Sequence, residues 1–186
     1  MSTARHRRHR VLRRTLLACI LAAGLGTARA QAVGSDAAAK AKLVTTLARF
    51  VHWPATSFDG ETAALRLCVF SGSLMVERAF QSQAAAAIGG HPVQIIVNPR
   101  ALSKNCQVLF VDDGGPEIHM DQVVKRLGSE PVFTVGTQDG FVSEGGMVEI
   151  VRIDNALRFD VNLVALREAG LGVHPGVLKL ARQVRQ

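Results

Sequence analysis

Two short apolar runs constrain this chain most. VQIIV at 93–97 and VLFV at 108–111 show almost no alternation between apolar and polar residues. A strand that faces water on one side alternates. A run that does not alternate, and is too short for a helix, reads as a strand covered on both faces. Covering both faces requires helices, and helical patterns lie between the strand-like runs. The order reads LRLCVFSGS (strand, with Cys68 inside it), a helix from Leu74 to Ile88 closed by Gly89-Gly90, HPVQIIV (strand), PRALSKN (short helical connection) and CQVLFVDD (strand). It continues through the DDGGP turn, a helix from Ile118 to Leu127 stopped by Gly128, and PVFTVGT (strand). Strand, helix, strand repeated in this way implies an α/β domain with a mostly parallel sheet.

The pattern then changes. MVEIVRI and ALRFDV flank Asp154-Asn155, a pair that tolerates the left-handed backbone a two-residue hairpin turn needs. An antiparallel hairpin therefore closes the sheet. Asn162 is placed to cap the helix LVALREAG, and LGVHP leads to a last helix, GVLKLARQV. The reading is a single-domain α/β sandwich with helices on the faces of the sheet and a C-terminal antiparallel hairpin.

Upstream, residues 1–30 have the layout of a signal peptide: a basic stretch to Arg14, the apolar run TLLACILAAGLG, and small residues ending at Ala30. The run is shorter than the ~20 residues that span a bilayer. Arg13-Arg14 permits twin-arginine export, and Cys19 lies too early in the run to mark a lipoprotein. Removal of 1–30 leaves one domain over 31–186. It also takes seven of the 22 basic residues and no acidic one, leaving 15 against 15. The basic excess belongs to the leader, so the electrostatic case for nucleic-acid binding goes with it. Cys68 and Cys106 remain, an even pair in an oxidising compartment, which reads as a disulfide; two buried thiols are the alternative.

Before the sheet, Asp36 to Trp53 reads as a helix with Leu43, Leu47, Phe50 and Val51 on one face, ended by Pro54. FVHWPATSF, at 50–58, holds three of the nine aromatic residues. Phe50 is expected in the core. Trp53, Pro54 and Phe58 are expected at a half-exposed contact surface, with Trp53 folding back as a lid on the core as the alternative.

Reactive chemistry is sparse. The histidines lie at no metal-ligand spacing. FSGSL sits where a phosphate loop would, but it holds the single Gly72, and Ser73 as a helix cap explains it better. No G-x-S-x-G elbow occurs, and Asp112-Asp113 read as a solvated turn pair. No metal, cofactor or catalytic set is expected. On the hairpin, Leu157, Phe159 and Val161 point to one face and Arg158, Asp160 and Asn162 to the other. That polar row is either solvated surface or the rim of a ligand site.

Taken in order, F-V-x-W-P, the placement of Cys68 and Cys106, F-x-x-x-G-G-M at 141–147 and R-F-D-V-N-L at 158–163 resemble the YfiR-like periplasmic proteins, over nearly all of the chain from Ala37 to Val184. The resemblance implies a periplasmic repressor of a membrane diguanylate cyclase. It would bind the cyclase's periplasmic sensor domain and lower cyclic-di-GMP output, a homodimer in many relatives, with an outer-membrane lipoprotein able to sequester it. It also implies a structural Cys68–Cys106 disulfide and a small-molecule site near Asp160 and His174, to which Arg158 and Asn162 add polar groups. Ser143 and Met147 stand near the place where some relatives carry a second cysteine pair. A small-molecule sensor module is the other reading of the same chain.

Overall fold

The computed structural model describes residues 34, 36–60, 62–99, 105–113 and 119–186. The leader expected over 1–30, most of the PRALSKN connection and most of the DDGGP turn lie outside the described residues. Helix α1 (36–48) buries Ala37, Ala41, Val44, Leu47 and Ala48, one stripe at helical spacing. It stops five residues short of Trp53. Strand β1 (Val51–His52) pairs antiparallel with β9 (Gly172–Val173), and the Phe50 carbonyl accepts from the His174 amide at 2.9 Å. Cross-strand pairing thus replaces the last helical turn. Phe50 is corrected with it: turned off the helical stripe, it is 41% exposed and does not belong to the core.

The main sheet places β2 (Leu65–Phe70), β4 (His91–Val97), β5 (Val108–Val111), β6 (Phe133–Gly136) and β7 (Val148–Ile153) in parallel, in the spatial order β4-β2-β5-β6-β7. Counted from the first of these five, that is the doubly wound order 2-1-3-4-5. Strand β8 (Ala156–Asn162) returns antiparallel to β7 around Asp154 and Asn155, at φ 47° and 60°, the hairpin expected. Alternation along the inner strands explains their unbroken apolarity. Leu65, Leu67 and Val69 of β2 and Val108 and Phe110 of β5 meet α1, α2 (Leu74–Gln81), α4 (Leu163–Glu168) and α5 (Pro175–Leu180). Cys68, Phe70, Leu109 and Val111 meet α3 (Met120–Leu127) and Phe141 on the opposite face. The Cys68–Cys106 disulfide lies in this second layer, with Cα atoms 5.9 Å apart, and ties β2 to the entry of β5.

Two helices are shorter than their sequences suggest. α2 ends at Gln81, and β3 (Ala87–Ile88) pairs antiparallel with β4 around Gly89 and Gly90, at φ 60° and 87°. Two consecutive positive φ angles form the tight turn that matches strand twist, so Gly-Gly makes a hairpin here and does not act as a helix stop. α5 ends at Leu180, and Gln183–Arg185 becomes β10, parallel to β8. The Arg182 amide donates to the Phe159 carbonyl at 2.8 Å, which starts that pairing.

Candidate functional site

At the carboxyl ends of the parallel strands, between β2 and β5, lies the point where the strand order reverses. Asp112 follows β5 and is 2% exposed. Its Oδ1 accepts from Lys40 Nζ at 3.0 Å and Thr137 Oγ1 at 3.1 Å, and its Oδ2 from Ser71 Oγ at 3.0 Å. Ser71 is held in turn by Asn98, whose Oδ1 accepts from the Ser71 amide at 3.0 Å and whose Nδ2 donates to the Ser71 carbonyl at 2.9 Å. The expected solvated pair is therefore split: Asp113 is exposed, while Asp112 is buried and fully partnered. Ser73 stands at the N-cap position of α2 without a capping side-chain bond, and its amide donates to Ser71 Oγ at 3.1 Å.

The β7–β8 side of the sheet is built differently. Phe141 is fully buried between Gly136 and Gly146, where an added Cβ would come within 2.3 Å and 2.2 Å of its ring. This explains the spacing of F-x-x-x-G-G-M: the ring needs two missing side chains, and Gly145, at φ 103°, turns the loop back. Glu149 of β7 accepts from the Gly140 and Val142 amides at 3.3 and 3.1 Å. Asn162 caps α4, its Oδ1 accepting from the Ala165 amide at 3.1 Å. Asp160 is 6% exposed and accepts from both Nε and Nη2 of Arg182. Arg182 is held above the ordinary guanidinium pKa, first by its hydrogen bond to Asp160; burial opposes this, and the charges of Asp160 and Glu149 add to it.

Two adjoining cavities open on this side of β6, β7 and β8. One, of about 450 Å³, lies between α3, α4 and the 143–145 loop and reaches Thr134, Met147 and Asn162. The other, of about 430 Å³, is lined by Gly140, Val142, Glu149, Asp160, Arg182 and β10. They share Ser143 and Arg185.

Asp160 and Asn162 thus come to adjoining cavities. Arg158 lies on the exposed part of the same strand and lines neither. His174 lies at the N-cap of α5, where Nδ1 accepts from the Gly176 amide at 3.1 Å and the ring stands 6.0 Å from Phe50; it too lines neither cavity. Glu149, Arg182 and Arg185 were not singled out from sequence. Glu149 was accessible, since it lies opposite Asp160 in the hairpin register. Arg182 falls in the segment that reads as helix, and Arg185 lies just past it. Trp53 is half-buried against the core, donating Nε1 to the Gln107 carbonyl at 3.3 Å and meeting Phe58 edge-on at 6.4 Å. Phe58 stacks on His91 at 3.8 Å. Pro54 is half-buried beside them.

Among the described residues, no group of three or more His, Cys, Asp or Glu could hold a metal ion, and no helix is long and apolar enough to cross a membrane. The fold and this face define a doubly wound α/β domain with side cavities. The chain belongs to the YfiR/HmsC-like family (DUF4154), whose pattern matches residues 37–182. Among solved structures, it is similar to the ABC domain in complex with L-Trp from Streptococcus pneumonia, at 15% identity and TM-score 0.49, covering 77% of this chain and 60% of that one. It is also similar to a conserved domain protein from Vibrio cholerae O1 biovar eltor, at 10% identity and TM-score 0.44, covering 64% of this chain and 54% of that one. The chain spans less than two thirds of either structure.

Proposed function

We propose that this protein is a periplasmic sensor module that binds a small molecule on the β7–β8–β10 face and reports its occupancy to a partner. The adjoining cavities beside Asp160 and Asn162 carry the reading. Each falls in the size range of small-molecule sites, and buried polar groups fix their walls. Residues 1–30 serve as the export leader. A ligand wedged between the 140–145 loop and β10 would press on the Asp160–Arg182 pair, and so on how β10 sits against β8. Native mass spectrometry of the exported chain tests this, followed by thermal shift with any retained compound. The expected result is a bound small molecule whose stabilisation Asp160→Asn reduces. A purified chain that holds nothing and gains no stability from a metabolite library would sink the reading.

A second reading joins the first at the partner. The family resemblance supports repression of a membrane diguanylate cyclase through its periplasmic sensor domain, with homodimer formation and capture by an outer-membrane lipoprotein as further steps. The observation that favours a protein contact is the exposed Phe50 at the start of the aromatic segment that continues to Trp53, Pro54 and Phe58. Pull-down of membrane proteins with the wild-type chain and with Phe50→Ser tests it. Capture of a cyclase, lost with Phe50→Ser at unchanged melting temperature, is the expected result; equal capture by both would remove the aromatic segment from the interface.

A further inference from the structure

We propose that a third cavity, at the amino ends of β2, β5 and β6, binds a small monocarboxylate. It has a volume of about 340 Å³ and lies between the 56–59 loop, Arg66 of β2, and the 105–107 and 130–131 segments. Of its described lining residues, it shares Glu130 alone with the two cavities above, and the assignment goes beyond the small-molecule reading of that face. Much of the polar lining is already engaged. Gln107 is buried, with Nε2 donating to the Ser57 carbonyl at 2.9 Å and Oε1 accepting from the Arg66 amide at 2.8 Å. The Cys106 sulfur is held in the disulfide, and Asn105 and Glu130 have partners.

Two hydrogen-bond donors of this lining are left over. Ser57 Oγ is buried and has no partner among the described residues. Arg66 is half-buried, and its guanidinium makes no hydrogen bond or ion pair among the described residues. Strand alternation puts it there: Leu65 and Leu67 face α1, so Arg66 falls on the opposite face with Cys68. A buried hydroxyl and a partly desolvated guanidinium each cost free energy until they are satisfied. Both are donors, so the group that completes them is an acceptor. The guanidinium fork matches the two oxygens of one planar carboxylate, and Ser57 supplies a second donor on the same cavity. Asp59, exposed at the lip, and Glu130 repel a second negative charge, which selects a monoanion. The mostly polar lining suits a short body, such as a hydroxy acid, and not a long acyl chain. The 56–59 wall also carries Phe58, so an occupied cavity braces the aromatic segment from behind.

Two-dimensional NMR of the exported, isotope-labelled chain, titrated with lactate, tests the assignment. Lactate is expected to shift the Arg66 Nε–H and the Ser57 amide in a saturable way. Lactamide, its neutral counterpart, should bind at least about tenfold more weakly, because it makes no charge-assisted hydrogen bond. Inorganic phosphate, largely dianionic at neutral pH, should also bind more weakly than lactate. Arg66→Gln should abolish the saturable shift at unchanged melting temperature, since the guanidinium has no partner to lose. Arg66→Lys, which keeps the charge without the fork, should weaken binding and serves if the glutamine variant does not fold. Ser57→Ala should weaken it as well. Shifts that do not saturate, as when water alone fills the cavity, would overturn the assignment. So would equal binding of lactamide, tighter binding of phosphate, or lactate binding that survives both Arg66 variants unchanged. Asp160→Asn should leave lactate binding intact, so the small-molecule reading of the other face stands or falls separately, by compound retained on the purified chain.

Discussion

Two regions of the sheet treat charge in opposite ways. At the carboxyl end, Asp112 has a partner on each oxygen, and Lys40 of α1 reaches in to neutralise it. Beside β6, β7 and β8, Glu144, Glu168 and Arg185 ring an apolar floor and are not paired with one another. Sheets of this strand order generally take ligands in the crevice outside the carboxyl ends, where the order reverses. Here a lysine of the chain itself lies in that crevice. A polar group already saturated from within has little left to give a ligand.

The largest expected effect comes from unlocking the closed end. Asp112→Ala removes the buried carboxylate that Lys40, Ser71 and Thr137 share, leaving Lys40 and Thr137 only the exposed Asp113 on this side. It should cost about 3–5 kcal/mol in urea unfolding. A loss below about 1 kcal/mol would mean that this end is no more fixed than the open region. The disulfide is next: Cys68→Ser with Cys106→Ser should cost roughly 4 kcal/mol on the chain-entropy account of a closed loop. Alkylation of the unreduced chain, read by mass spectrometry, should leave both thiols unmodified, and two labelled cysteines would break the assignment.

Trp53→Ala separates lid from contact surface. With its indole packed on the core and bonded to Gln107, the change should cost on the order of 2 kcal/mol and lower the melting temperature by several degrees. Full retention of stability would return Trp53 to the surface role. Gly146→Ala drives a methyl group into the Phe141 ring and should cost about 1–3 kcal/mol, loosening the wall that the cavities share. The smallest effect belongs to the open rim. Glu168→Gln should change stability by less than about 0.5 kcal/mol, and a larger loss would show that the rim is structurally engaged after all.

The comparison also shows what a sequence makes legible. Val108–Val111 announced a strand buried on both faces because each of its residues is apolar, and Asp154-Asn155 announced its turn because few other pairs tolerate that backbone. Both signals are local. Asn162 as a cap was legible for the same reason, its acceptor lying three residues from the amide it serves. The burial of Asp112 was not legible, because its neutralising lysine lies 72 residues away. The end of α5 was missed on similar grounds: LARQV suits a helix, and what makes Gln183–Arg185 a strand is the edge of β8 together with Asp160, which takes Arg182. Phe50 was misplaced because helical periodicity was extended past the residue where pairing with β9 takes over. The rim set from sequence followed strand alternation, which brought Asp160 and Asn162 to the cavities but could not tell that His174 would face Phe50.

Strand β10 shields as well as extends. It covers the backbone of Asp160, Val161 and Asn162 with a three-residue ladder anchored by the Arg182 ion pair. Clipping the chain ahead of Arg182 would lay bare that edge of β8, and an uncovered strand is a template on which a second copy can add itself. Edge-to-edge addition of clipped chains would then build a linear polymer. The exposed Gln183 and Arg185 keep the outer side of the shield polar and charged, so the tail discourages sheet-to-sheet growth at the point where a proteolytic nick would start it.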